Sequence, residues 1–259
     1  MIGNPLTILN EVESSNNYAT GLAIHGLAHH GHAVLARFQS AGKGQRGRTW
    51  QGAPGQNIAL SVVLDMKGIS LTRNFELSMA IALGVYDFFS HFAGENTRIK
   101  WPNDIYWSDR KAVGILIENS IQGQNWQWAI AGMGINMNQA AFSGQMEAKA
   151  VSLRQITGKS YDIEQSTRRL CGHLEDRYQQ FLLDPVGLLT AYNRVLYAKD
   201  QEVTVIYKEH SFRVTIQTVD AQGRLWITGA PVPYFQFGEI TWVIDHGTLD
   251  HSSDVAKFS

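Results

Sequence analysis

The chain has 259 residues, 44% hydrophobic and 17% charged, with 22 Lys and Arg against 23 Asp and Glu and a net charge of −1. This composition suits a globular chain with one sizeable core and a small satellite domain, and the near-neutral charge argues against wholesale nucleic-acid binding. The single Cys171 cannot form an intramolecular disulfide, the N-terminus lacks a basic region followed by an apolar stretch, and the densest apolar run, Ile58 to Leu64, is too short to span a bilayer. Secretion and membrane insertion are therefore disfavoured, and a cytoplasmic location is expected.

Taken in chain order, Asn16 to His30 predicts a short helix with Tyr18, Leu22, Ala23 and Leu27 apolar and His25 and His29 on another face. Strand-like Ala33 to Phe38 follows, then a long loop, Gln39 to Gln56, rich in Gly and basic residues, and the strand Asn57 to Leu64. From Asn74 to Phe92 the positions Leu77, Ala80, Ile81, Val85, Phe88 and Phe92 keep helical spacing. Arg98 to Trp107, Ala112 to Asn119 and Trp126 to Met133 read as three strands joined by turns at Ser108-Asp109 and Gln122 to Asn125, which implies an antiparallel sheet. Asp162 with Gln165 resembles a capping box opening a helix lined by Leu170, Leu174, Tyr178 and Phe181, and Leu188 to Tyr197 suggests another helix. Past Ala198 the pattern becomes five short strands, 203–207, 212–218, 225–228, 234–237 and 240–244, the grammar of a small barrel. The expected division is 1–197, 198–247 and a loose polar tail at 248–259.

Charge is uneven. No acidic residue lies between Glu13 and Asp65, while Arg37, Lys43, Arg46 and Arg48 share that window, giving a local positive field of a size suited to a small anion. Three segments carry chemistry. Gly42-Lys43-Gly44-Gln45-Arg46-Gly47-Arg48-Thr49-Trp50 formally contains GxGxxG, but two glycines and a proline follow instead of a helix, so a dinucleotide fold is excluded. A flexible glycine loop able to wrap an anion remains, and Trp50 is a residue that a bare surface loop does not need.

The second segment is Lys100-Trp101-Pro102-Asn103-Asp104, running on to Lys111 to Glu118. A two-residue turn at Ser108-Asp109 puts Lys111 opposite Tyr106 with Asp104 on the same face, and taken alone this pair reads as an exposed ion pair more readily than as a site. Gly114 shifts the balance, because glycine in a strand marks a close approach. The third segment, Ala131 to Asn138, places small residues at a strand end before Asn136 and Asn138, side chains able to read an adenine edge, although taken alone it reads more readily as a plain turn. The histidines 25, 29, 30 and 32 read as a solvated cluster, so no side-chain metal site is expected, and Cys171 reads as core filler.

Together these segments, in this order, resemble the catalytic domain of the biotin-protein ligase family: GKGQRGRTW, KWPND, KAVGILIE and GMGINMN, with Ser14-Ser15-Asn16-Asn17 upstream and Gly238-Glu239-Ile240 near the end. The resemblance covers about residues 8 to 245. It implies an α+β fold, a mixed sheet with helices like that of class II aminoacyl-tRNA synthetases, plus a C-terminal SH3-like β-barrel. It further implies that biotin and MgATP give biotinyl-adenylate, and that biotin then passes to one lysine of a biotin carboxyl carrier protein of acetyl-CoA carboxylase.

By position, the resemblance assigns biotin to Ser14, Ser15, Asn16, Gln39, Lys43, Gly44, Gln45, Lys111 and Gly114. It assigns the adenylate to Arg46, Arg48, Trp50, Asn103 and Asn136, and catalysis to Lys111, Arg48 and Asp104. Gln45 stands where repressor-type members carry arginine, and the chain starts almost at the catalytic domain, so an enzyme without DNA binding is expected; a homodimer is compatible with this reading. The loop 39–56 is expected to be mobile and to order around ligand. Two rivals stand beside this reading: a lipoate or octanoate ligase, which shares the fold but is expected to carry a different arginine-glycine signature in place of Trp50, and a non-catalytic biotin-sensing module.

Overall fold

The computed structural model describes residues 1–244, so the expected tail at 248–259 lies outside the described residues. The chain begins with β1 (Leu6–Leu9), α1 (Ser15–Ile24), β2 (Ala33–Ala36) and β3 (Ile58–Asp65). Next come α2 (Asn74–Ala93), β4 (Thr97–Lys100), β5 (Asp104–Trp107), β6 (Arg110–Gln122) and β7 (Asn125–Ile135). Two short helices, α3 (Met146–Lys149) and α4 (Leu153–Thr157), precede α5 (Ile163–Leu183) and α6 (Pro185–Arg194). The strands β8 (Glu202–Tyr207), β9 (His210–Val219), β10 (Leu225–Thr228), β11 (Tyr234–Phe235) and β12 (Ile240–Val243) follow.

Seven strands form one mixed sheet in the order β1-β2-β3-β7-β6-β5-β4, in which β1 and β2 run parallel and the other neighbours antiparallel. The period of two in β3 explains how the sheet is covered. Ile58, Leu60, Val62 and Leu64 enter the main core with α2 and α5, whereas Val63 joins Ala19 and Ala23 of α1 on the opposite face. On that second face α1 packs mainly on β2, β3 and β7. The part of β6 and β7 beyond it is left for a ligand. Arg177 of α5 clamps Asp87 of α2 through two of its guanidinium nitrogens, Nε and Nη2, at 2.6 and 3.1 Å, and Asp162 caps α5 by accepting from Gln165 N–H, as expected from its sequence.

Four expectations need correction. The first helix stops at Ile24 and not at His30, because Gly26 turns left-handed at φ +67°; its buried face is Ser15, Asn16, Ala19 and Ala23, while Leu27 is exposed. The segment 98–107 is two strands. Pro102 has no N–H for a ladder, and the chain folds back over Trp101–Asn103 so that Lys100 faces Asp104. The last helix starts at Pro185, since Asp184 accepts from Gly187 N–H and Pro185 is preset for the first helical position. β1, α3 and α4 went unread, each four or five residues long and too short to show a period.

The five C-terminal strands stand where expected and pair antiparallel in the order β11-β10-β9-β8-β12. Among the described residues no rung joins β11 to β12, so the second unit is a five-stranded sheet and its closure into a barrel is not established. It packs on the first sheet through Trp101 Nε1, which donates to Gly223 O at 3.0 Å, and through the edge contact of Tyr197 with Trp242. No helix of the described residues is long and apolar enough to cross a membrane.

Candidate active site

A cavity of about 340 Å³ opens on the α1 face of the large sheet, within the size range of small-molecule sites. Its inner end is buried and neutral. Ser14 caps α1 with its hydroxyl, which orients the next two side chains inward. Gln39 Oε1 accepts from both Ser15 N (2.7 Å) and Ser15 Oγ (2.9 Å). Ser61, the one polar residue midway along apolar β3, lies 2.7 Å from Ser15 Oγ and 2.6 Å from Asn16 Oδ1, and Asn16 Nδ2 donates to Glu118 at 2.8 Å. These groups are satisfied before any ligand arrives, so they present fixed donors and acceptors.

Three glycines on β6 and β7 lie under three side chains, two from elsewhere in the chain and one, Lys111, from β6 itself. A Cβ on Gly132 would stand 2.2 Å from Asn16 Oδ1, one on Gly134 2.1 Å from Trp50 Nε1, and one on Gly114 3.4 Å from Lys111 Cε. Gly114 and Gly134 are direct cross-strand partners. Lys111 and Gly114 are three residues apart and would face opposite ways in a regular strand. A β-bulge at Ala112 corrects this: Ile105 pairs Val113 while Tyr106 pairs Lys111, so one residue is extra and both face the cavity. Lys111 opposite Tyr106 is the register the sequence predicted.

The glycine loop is more ordered in form than expected. Lys43 bridges Thr49, Gly44 N donates to Arg48 O (2.7 Å), Arg48 N to Gln45 O (3.2 Å) and Trp50 N to Gly42 O (2.9 Å). Arg46 and Gly47 both have positive φ, +55° and +72°, which makes the tip a hairpin turn of the primed type. Gln45 Nε2 fastens it, donating to Asn103 Oδ1 and to Ile115 O, both at 2.8 Å. Lys43 Nζ donates to Asn17 Oδ1 at 2.6 Å. The hairpin lies across the cavity as a lid, with Trp50 laid on β7.

The mouth is charged. Lys111 Nζ donates to Asp104 Oδ2 at 2.6 Å, and Arg48 and Lys149 line the same opening. Lys100, opposite Asp104, lies over the rings of Tyr106 and Trp242 at 5.0 and 5.1 Å. Burial pushes its ammonium down to about 8, with the neighbouring Lys111 and Arg48 adding to the effect and Asp104 opposing it. Burial, then Asp104, raises the Tyr106 phenol above its ordinary value.

The structure thus gathers Ser14, Ser15, Asn16, Gln39, Lys43, Gly44, Gln45, Arg48, Trp50, Asp104, Lys111 and Gly114 around one cavity. Three of the expected nucleotide residues do not line it. Arg46 points away, over Phe237; Asn103 is buried and holds Gln45; Asn136 spends its amide on Val151 O at 3.3 Å. Asn138 likewise clasps Tyr161, donating to its carbonyl and accepting from its N–H, so both asparagines brace a turn. The sequence reading missed Ser61, Glu118, Gly132, Gly134, Met146 and Lys149. Ser61 carried a signal, a hydroxyl inside an apolar strand, and Gly132 and Gly134 carried the one that marked Gly114, a glycine inside a strand. Burial raises the Cys171 thiol to about 11, in keeping with core filler.

Residues 10–136 match the model of the biotin/lipoate A/B protein ligase family. That segment, just under half of the chain, carries the sequence pattern of this family. The matched stretch holds every expected site residue of this ligase fold and omits Met146, Lys149 and the second sheet. The bifunctional ligase/repressor BirA of Bacillus spizizenii is 31% identical over 194 residues, 73% of this chain and 59% of that protein. The biotin–[acetyl-CoA-carboxylase] ligase of Paracoccus denitrificans is 39% identical over 137 residues, 51% of this chain and 56% of its own length. The chain thus spans less than two thirds of these two relatives. Among solved structures, biotin protein ligase from Aquifex aeolicus in complex with biotin and ATP superposes with a TM-score of 0.74 over 92% of this chain and 98% of its own, at 21% identity. The likeness extends the shared fold over the second sheet.

Proposed function

We propose that the protein is an ATP-dependent biotin-protein ligase of the cytoplasm, which joins biotin and MgATP into biotinyl-5'-adenylate and passes the biotinyl group to a lysine of a biotin carboxyl carrier protein of acetyl-CoA carboxylase. One observation carries the reading: a single cavity runs from a neutral, hydrogen-bonded end at Ser15, Asn16 and Gln39 to a cationic mouth at Lys111 and Arg48. That polarity fits a ligand with a ureido head, an apolar chain and a carboxylate. In this reading residues 1–197 form the catalytic domain and 198–247 a barrel-like second domain.

The chemistry follows from charge. The biotin carboxylate is ionised at neutral pH and attacks the α-phosphorus itself, expelling pyrophosphate, so the protein needs no nucleophile or base for this step. It has to align two anions and offset their repulsion. Lys111, held by Asp104 and seated over Gly114, points its ammonium where the carboxylate and α-phosphate meet; Arg48 adds a second cation, and the Trp50 lid excludes water. The magnesium arrives as part of the nucleotide, held by phosphate and water. In the second step an uncharged acceptor amine attacks the acyl carbon and AMP leaves with the bonding pair. Asp104, at the mouth, is the candidate to position that amine or take its proton.

Incubating the protein with MgATP, labelled biotin and a purified carrier domain tests the reading: pyrophosphate release and label on one lysine are expected. Transfer of lipoate in place of biotin would favour the lipoate rival, and biotin binding without pyrophosphate release would favour a sensing module.

A further inference from the structure

The lid hairpin ends in an unusual way. Its tip residue, Arg46, is not glycine yet adopts φ +55°, as the first central position of a primed turn requires. Its guanidinium does not turn toward the cavity. It lies over the ring of Phe237, 4.9 Å from the centroid, and the same ring meets Trp101 edge-on with centroids 6.2 Å apart.

The receiving turn is built for this visitor. Glu239 N donates to Gln236 O at 3.1 Å and the Glu239 carboxylate accepts from Gln236 N–H at 2.6 Å, closing a four-residue turn between β11 and β12. Gly238 occupies its third position with φ +97°, where only glycine is at ease. A Cβ there would stand 1.6 Å from Arg46 Nη2. The Gly238-Glu239 pair noted in the sequence therefore has two physical duties, to form the turn and to leave a vacancy for the arginine. Phe237 is 53% exposed, which is costly for a ring whose sole purpose is packing.

We propose that Phe237 and Gly238 are positioning residues: they form a dock on the second sheet that receives Arg46 and holds the lid closed over the cavity. Arg46 then acts through the lid and not by touching the nucleotide. The second sheet thereby joins the site, since the far strands of the chain set how long the lid stays down. The consequence for catalysis rests on the proposed ligase reading; the docking itself does not.

Hydrogen exchange on the full chain without ligand tests the dock. The amides of Gly44, Arg48 and Trp50, which form the hairpin rungs, should exchange about three- to tenfold faster in Phe237→Ala, the scale expected for losing one partly exposed cation–π contact. Phe237→Tyr should restore the wild-type rate, and Arg46→Ala combined with Phe237→Ala should match either single variant, because both remove the same contact. Equal exchange in wild type and Phe237→Ala, or strictly additive effects in the double variant, would overturn the proposal. With biotin and MgATP, Phe237→Ala should release adenylate faster by a similar factor while the chemical step in a single turnover is unchanged. Altered exchange in a protein that binds no biotin would uphold the dock and refute the ligase reading, so the two failures are distinct.

Discussion

The two ends of the cavity solve opposite problems. At the inner end Ser15, Asn16 and Ser61 are buried, Gln39 is half-buried, and these neutral groups are paired with one another, so recognition there depends on shape and on donors fixed in place before binding. At the mouth Lys111, Asp104, Arg48 and Lys149 are charged and partly open, and their value lies in the charge that builds up during reaction. The difference teaches that affinity and rate are lodged in separate places on one sheet face, and it can be broken by mutations directed at each.

Loss at the mouth should be the largest effect. Lys111→Ala is expected to lower adenylate formation by about a hundredfold or more in single-turnover kinetics, with little change in biotin affinity, as for other charge-stabilising donors. An unchanged rate would remove Lys111 from the chemistry.

Next comes pH. The folded Lys100 titrates near 8 against an ordinary 10.5. Below pH 8 both folded and unfolded chains carry the proton and the burial penalty applies in full. Between 8 and 10.5 the folded chain releases the proton while the unfolded chain keeps it, so stability rises with pH. The gain is on the order of 2 kcal/mol. Urea unfolding at pH 7 and 9.5 should show this rise in the wild type and lose it in Lys100→Met.

At the inner end, Gly132→Ala forces a methyl onto Asn16, whose amide is already tied to Glu118 and Ser61. Biotin affinity by calorimetry should fall on the order of tenfold while the rate of chemistry at saturation holds. The smallest effect is expected from Lys43→Ala: its ion pair with Glu118, at 3.9 Å, is about half exposed, so affinity should change by less than about fivefold. A larger loss would show that the Lys43 ammonium, at the cavity wall, binds the ligand directly.

The contrast also marks what a reader of the sequence could see. The mouth was legible because its geometry is local: a two-residue turn sets the register, and Asp104 with Lys111 follows by counting. One point lay beyond counting, the bulge at Ala112 that brings Gly114 to the same face, since nothing in Lys-Ala-Val-Gly announces an extra residue. The inner end was legible only as a family pattern. Ser61 and Glu118 come from strands far apart in the chain, and their roles arise from sheet order. The lid was read as a flexible loop because glycines dilute every periodic signal; its hairpin form depends on Arg46 adopting a glycine-like conformation, which composition does not disclose.

Gly114, Gly132 and Gly134 are each matched to one visiting side chain, so the bare patch on β6 and β7 behaves like a set of sockets. Sockets and plugs must change together during divergence. A side chain at Gly132 or Gly134 displaces Asn16 or Trp50 without altering the partner's own sequence, whereas Gly114 leaves Lys111 an ordinary contact. Adaptation to a longer or bulkier ligand is therefore channelled toward the lid and α3, whose residues can vary one at a time.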